Sequence, residues 1–424
     1  MIIKIFKFFR TLIKRLRNRK MKYMIGTFAH GNGPYSRVLD LGIAINDELE
    51  RRKLDRLPII MPLVYGERQK KIMQEEIESL GKDFSKMQDE ILLDEFYGDI
   101  LNELFFKGGN YQENLELLIE KQPKQEETLR DYLSGILTLK TFDGREERVL
   151  GENVEFEISH NPRVATKYPL SFYTTIGYFS EILLHASKEA KKGDLKFNAK
   201  LLDEVRKNIA NKIEEDKSIH FMPEPFVFSY LEDRERYRHE IFTPPFVHMP
   251  AANTEQVEKG MYVMVTGIDG LQTLFDSVNE FGMKVYCPPF IKLEYADNRF
   301  TPEFVANPNI KCQFARTGWS SVWLSHMTET PLIAPAYIEG DDPEIFFNER
   351  SVRKLGLAVI FDGKNPKEVL QEADALKPRM QEVNKKLVEN YGTLDGIDYT
   401  ANAIVDFYLG ENTDKYYVKK PVLH

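Results

Sequence analysis

Short apolar runs, each ending in a turn and followed by a helical stretch, recur along this chain in two series. In the first, "KYMIGTF" (22–28) leads through "AHGNGPYS" into an amphipathic helix from about Arg37 to Arg52. "LPIIMPLV" (57–64) and a charged helix from near Glu67 follow. In the second, "GMYVMVTGIDG", "MKVYCPPF", "IKCQFARTG", "TPLIAPAY" and "LAVIFDG" read as strands, with "SSVWLSHM" and "PEIFFNERSVRKLG" as helices between them. Apolar strands this short, alternating with helices, pair in parallel and carry their crossover helices on both faces. The pattern predicts an α/β chain of two doubly wound, Rossmann-like domains facing across a cleft. Residues 221–260 break it with prolines and polar residues lacking a period, as an interdomain crossing does. The expected division is 22–245 and 246–424, with residues 90–140 largely helical.

The length of 424 residues suits two domains of ordinary size. Cys287 and Cys312 have neither metal-ligand spacing nor the number for a disulfide framework, so a reducing, cytoplasmic setting is expected. The net charge of −8 hides an asymmetry. Residues 1–22 carry nine Lys/Arg and no acid, which leaves 49 basic against 66 acidic side chains in the rest. A body so acidic argues against nucleic acid as a partner, because phosphates require a basic face.

The leader, residues 1–21, is expected to form a basic amphipathic helix. Ile2, Ile5, Phe6, Phe9, Leu12, Ile13 and Leu16 recur at steps of three and four, with Lys and Arg between them. It is too short and too charged to span a bilayer and lacks the apolar centre of a secretory signal. A helix lying on an anionic membrane surface fits it, as does a partner-binding helix or a basic leader without fixed structure.

Four turns carry candidate chemistry. In "GTFAHGNGPYSR", Gly31 and Gly33 let backbone N–H groups approach a ligand at a helix start. His30 stands there at the sheet edge where open α/β folds bind ligands. Its imidazole suits proton abstraction from a hydroxyl, and a structural hydrogen bond fits the same position. In "MVTGIDG", Thr266 and Gly267 offer a hydroxyl and close backbone approach, or an N-cap. In "FARTGWSS", Arg316, Thr317, Gly318, Ser320 and Ser321 surround a helix start, and the dipole and guanidinium together suit a diphosphate. Capping accounts for one of these hydroxyls, not for the set. In "YIEGDDPEIFFNE", Glu344 and Asn348 follow an acidic turn that suits sugar hydroxyls or a helix N-terminus. No phosphate-binding P-loop, HExxH, GxSxG or CxxC motif is present, and the eight histidines show no metal spacing.

The order of elements over 310–361 resembles the donor-binding half of GT-B nucleotide-sugar glycosyltransferases, in particular UDP-glycosyltransferases and peptidoglycan GlcNAc-transferases. In that group an "HxGxxS…E…G.P.…P…DQ…NA" series holds the nucleotide sugar. Gly318, Ser320 and Ser321 match its phosphate-binding turn, Pro331 and Pro335 its strand, and Glu344 and Asn348 the region of its acid–Gln pair. Arg316 stands where many members have His. "YVMVTGIDG", with Thr266 and Gly267, resembles the glycine-bearing loop after the first strand of the same half, and His30 resembles the histidine that deprotonates the acceptor in inverting members.

The resemblance implies a hexosyl- or N-acetylhexosaminyl-transferase. A UDP-sugar donor would bind the C-terminal domain and an acceptor, possibly lipid-linked, the N-terminal one, with neither cofactor nor obligatory metal. With the leader, it implies a peripheral enzyme on the cytoplasmic membrane face. A GT-B sugar-nucleotide epimerase and a non-catalytic membrane-associated GT-B subunit are the competing expectations.

Overall fold

The computed structural model describes residues 21–104, 107–231, 240–265, 271–288, 291, 293, 296–299 and 302–423. The expected leader helix, Thr266 and Gly267 therefore lie outside the described residues.

Among the described residues, fifteen strands form two sheets. The first runs in the order β5-β4-β3-β2-β1-β6-β7-β8-β9. Its strands are β1 (Tyr23–Phe28), β2 (Ile59–Pro62), β3 (Ile91–Asp94), β4 (Ile136–Lys140), β5 (Glu146–Leu150), β6 (Val154–His160), β7 (Ser171–Thr174), β8 (Ile219–Pro223) and β9 (Glu240–Thr243). The second runs β12-β11-β10-β13-β14-β15. It comprises β10 (Gly260–Val263), β11 (Lys284–Cys287), β12 (Asp297–Asn298), β13 (Ile310–Phe314), β14 (Leu332–Pro335) and β15 (Ala358–Phe361). Every described pairing is parallel except β3–β4 and β4–β5. β1, β2 and β6 to β9 are almost wholly buried, as strands covered by helices on both faces must be. The molecule thus has two doubly wound α/β units, the GT-B arrangement.

The order of each sheet reverses beside its first strand, at β1/β6 and at β10/β13. Loops diverge there and leave a crevice at the carboxyl ends of the strands. His30 follows β1, Arg163 follows β6, Met264 follows β10 and Arg316 follows β13.

Several stretches differ from the sequence expectation, among them β3 within the largely helical 90–140 and β7 at the head of "LSFYTTIGYFSEILLHASKEA", expected to be helix throughout. Residues 136–150 form the β4–β5 hairpin, in which Leu137 and Leu139 point inward and Ile136 and Thr138 outward. Asp143-Gly144, with Gly144 at φ 87°, makes its turn. β8 runs into the proline-bearing stretch 221–260 expected to be a crossing, and β9 falls within it. The first helix, α1 (Asn32–Arg51), starts five residues before Arg37. Pro34 lies in its first turn, where a missing N–H costs nothing.

Seven further helices matter to the cleft: α2 (Gly66–Ser79), α3 (Tyr111–Leu133), α4 (Phe179–Lys192), α5 (Trp319–Thr328), α6 (Pro343–Leu355), α7 (Lys377–Tyr391) and α8 (Gly396–Leu409). α8 packs along α1, so the chain returns to the first sheet after completing the second. The way back is fixed where the Gly396 N–H donates to the carbonyl of Pro245 at 2.9 Å. A Cβ at Gly396 would lie 2.2 Å from that oxygen, so the close approach of two backbones requires glycine. α5 ties the halves from the other side. Trp319 and Trp323 are buried, and Trp323 Nε1–H donates to the carbonyl of Pro225 at 2.8 Å.

Candidate functional site

Two neighbourhoods face the crevice. The first surrounds the start of α5. Gly318 precedes that helix without any side-chain cap, so the first N–H groups of α5 have no side-chain acceptor. Ser320 and Ser321, together with Met264 at the end of β10, line a cavity of about 450 Å3. Its opposite wall comes from α1 and from His248, so it lies between the two sheets. Gln313 Nε2–H donates to the Ser321 carbonyl at 2.7 Å and anchors this turn to β13. Thr317 is turned inward; its buried hydroxyl has no hydrogen-bond partner among the described residues.

The cations bordering this cavity are already engaged. Arg37 lies between Asp40 at 3.0 Å and Glu76 at 3.2 Å. Lys82 pairs with Asp47 at 2.6 Å. His248 Nδ1 lies 3.1 Å from Asp395. Burial opposes charge on His248, but the hydrogen bond to Asp395 and nearby carboxylates outweigh it and raise its pKa. Arg316, placed by the sequence among the phosphate ligands, instead pairs with Asp341 at 2.7 Å.

The second neighbourhood lies at the β1/β6 edge. Gly31 has φ 105°, a conformation natural to glycine, and its N–H donates to the Tyr65 hydroxyl at 2.9 Å. That bond fixes the loop so that His30 meets the Tyr65 ring edge-on, with centroids 6.3 Å apart. His30 is exposed to solvent. Partial enclosure of the ring, and then the charge of Arg163, lower its pKa and favour neutral imidazole. Gly33 sits exposed in the first turn of α1.

Across the crevice, α6 begins at Pro343 with Asp342 as its cap, the Asp342 carboxylate accepting from Glu344 N–H at 2.8 Å. Asn348 Nδ2–H donates to Glu344 Oε1 at 3.2 Å, so these two predicted residues do meet. Burial, and then the Asp342 charge, raise the pKa of Glu344; burial likewise raises that of Asp342. Arg163 opposes both shifts, which places its guanidinium within electrostatic reach of this pair as well as of His30.

The structure thus gathers Ser320 and Ser321 around one cavity and joins Glu344 to Asn348, while His30 stands beside Arg163 at the β1/β6 edge. It withdraws Thr317 and neutralises Arg316. Sequence reading did not single out Arg163, Arg37 or His248, and it reached Asp342 as one acid of the turn before Glu344. Asp342 carries a legible signal, an Asp-Pro pair opening a helix. Arg163 carries none, because only the pairing of β6 with β1 brings it to His30.

No family model matches the chain, and no curated protein matches it in sequence. Solved structures match it in fold. A UDP-glucosyltransferase from Polygonum tinctorium capable of glucosylating indoxyl superposes with a TM-score of 0.56 at 11% identity, covering 93% of this chain and 100% of that one. Phytolacca americana UGT2, complexed with UDP-2fluoro-glucose and pterostilbene, gives 0.53 at 10% identity, with 92% and 100% covered. LpCGTa in complex with UDP gives 0.53 at 12% identity, with 92% and 99% covered.

Proposed function

We propose that this GT-B chain is a glycosyltransferase that moves a hexosyl or N-acetylhexosaminyl group from a nucleotide donor, UDP-linked, to an acceptor hydroxyl. The observation that carries the reading is the uncapped start of α5, whose Ser320 and Ser321 line a cavity between the two sheets. N–H groups without a side-chain cap at the positive end of a helix, with two hydroxyls beside them, suit a diphosphate. Two of the proteins similar in fold are described with UDP or a UDP-sugar bound. In this reading the half from residue 246 onward holds the donor, with Thr266 and Gly267 near its diphosphate, and residues 22–245 hold the acceptor.

His30, kept neutral, takes the acceptor proton while the oxygen attacks the anomeric carbon, and the departing diphosphate is held at the α5 start. Attack of this kind is direct and inverts the anomeric centre. Glu344 and Asn348 receive sugar hydroxyls. The basic leader places the enzyme on the cytoplasmic membrane face, where a lipid or lipid-linked acceptor is presented. Among the described residues no helix is long and apolar enough to cross a membrane.

The test is thermal-shift titration of the full chain with UDP, GDP, dTDP and CMP. UDP raises the melting temperature, and Ser320→Ala/Ser321→Ala weakens UDP binding by about 100-fold or more, two hydrogen bonds to a charged group being at stake. If none of the four nucleotides stabilises the fold, the donor assignment fails. Epimerised sugar formed from a UDP-sugar without acceptor would replace transferase by epimerase.

A further inference from the structure

We infer that Arg163 is an anion-recognising residue of the acceptor site, docking a phosphate monoester carried by the acceptor beside His30. The inference rests on the glycosyltransferase reading.

The placement follows from the register of the first sheet. β6 lies alongside β1 with His160 opposite Phe28, so residues 161–163 emerge next to His30. Asn161 takes the left-handed conformation, φ 48°, and its side-chain oxygen accepts from the Thr175 hydroxyl at 2.6 Å and from the Tyr173 hydroxyl at 3.4 Å. That buried network fixes the turn. Arg163 Nη1–H then donates back to the carbonyls of Asn161, at 2.8 Å, and Pro162, at 3.3 Å. Its guanidinium lies over the Phe179 ring, 4.0 Å from the centroid. A side chain held by two carbonyls and an aromatic face has lost most of its freedom before any ligand arrives, so binding costs less ordering entropy.

Its charge is what lacks a counterpart. Arg163 is half-buried, and among the described residues no carboxylate lies within ion-pair distance of it. The other cations named along the crevice, Arg37, Lys82, His248 and Arg316, all have one. The groups that feel the Arg163 charge are His30, His160, Tyr111, Asp342 and Glu344. The recess shared by His30 and Arg163 is only about 10 Å3 and is walled by Leu115, Leu118 and Phe179. It takes no ligand itself, so an anion meets Arg163 from outside this recess.

The donor diphosphate belongs to the α5 start in the other neighbourhood. An anion reaching Arg163 therefore arrives with the acceptor, on the same sheet edge as the candidate base. A guanidinium fork matches the oxygens of a phosphate monoester.

The experiment is calorimetric titration of the full chain, saturated with UDP, by hexyl phosphate, hexanol and inorganic phosphate. Hexyl phosphate is expected to bind about 10- to 100-fold more tightly than hexanol, the range for a hydrogen bond to a charged group. Arg163→Gln removes that preference without changing the UDP titration, and Arg163→Lys keeps part of it. Equal binding of hexyl phosphate and hexanol by the wild type overturns the inference without any variant. So does a preference that survives Arg163→Gln in a protein with an unchanged melting curve. Inorganic phosphate competing as well as the ester overturns assignment to the acceptor. Failure of UDP itself to bind would strike the transferase reading instead, so the two failures are distinguishable.

Discussion

Two arginines stand at corresponding places in the two halves, each just past a strand at the point where its sheet reverses order. Arg316 follows β13 in a turn whose neighbours announce phosphate binding, yet Asp341 neutralises it at 2.7 Å. Arg163 follows β6 in the unremarked stretch "SHNPRV" and keeps its charge, held by two carbonyls and a ring. The contrast teaches that a motif places a cation but does not say whether that cation is available. Availability is decided by a carboxylate that can come from another loop, here 25 residues onward.

The comparison breaks most visibly at His30. Replacing it with Gln is expected to lower kcat by about 10²- to 10⁴-fold, the usual contribution of a general base, with KM little changed; initial-rate kinetics check it. A loss below tenfold would remove the reason for calling the β1/β6 edge the reacting side.

Arg163→Gln sharpens the same point through pH. Removing a cation beside His30 lets its lowered pKa rise. Since the base must be neutral to act, the acidic limb of the kcat/KM profile should move to higher pH. An unmoved limb would mean that Arg163 does not act on His30.

Glu344→Gln gives a smaller effect, read in stability. The folded-state pKa of Glu344 is raised, first by burial and then by Asp342. The stability linked to its neutral form is fully present below the ordinary Glu value of about 4.3 and is lost as pH rises through the raised pKa. The melting temperature of the wild type should therefore fall more steeply than that of Glu344→Gln from pH 5 upward. Parallel curves would show that this carboxyl is already solvated.

The smallest effect belongs to the paired arginine. Arg316→Gln is expected to cost less than about 1 kcal/mol in denaturant melts, as solvent-exposed ion pairs do. It should leave UDP affinity within about threefold, that energy being the same size as its stability cost. Asp341→Asn, which frees the guanidinium, should strengthen UDP binding. If Arg316→Gln abolishes it, the two arginines are alike after all.

Much of the scaffold was legible because buried parallel strands are short apolar runs and their turns are written in small residues. "YMIGTF", "LPIIMP" and the 310–361 series all carry that signature, and each corresponds to strands of the structure. Where local and tertiary signals part, legibility ends. The β4–β5 hairpin sits beside long helices, and its period of two spans only a few residues on either side of Asp143-Gly144. β8 and β9 hide among prolines because the proline of β8, Pro223, is its last residue and β9 is an edge strand, which needs fewer ladder bonds. Of the candidate site, the serines of the α5 start and the Glu344–Asn348 contact follow from helix spacing. The Arg163–His30 adjacency does not, since about 130 residues separate them and only strand register joins them.

The return of α8 to the first sheet has a mechanical consequence. The chain passes between the sheets near residue 245 and again near residue 395, and the two passages are fastened together by the Gly396–Pro245 bond and by the grip of Asp395 on His248 and the Met249 N–H. Two straps stitched at one point behave as a pivot rather than as a pair of slack tethers. Relative motion of the halves is then confined to rotation that both this stitch and the Trp323–Pro225 tie on the other side allow.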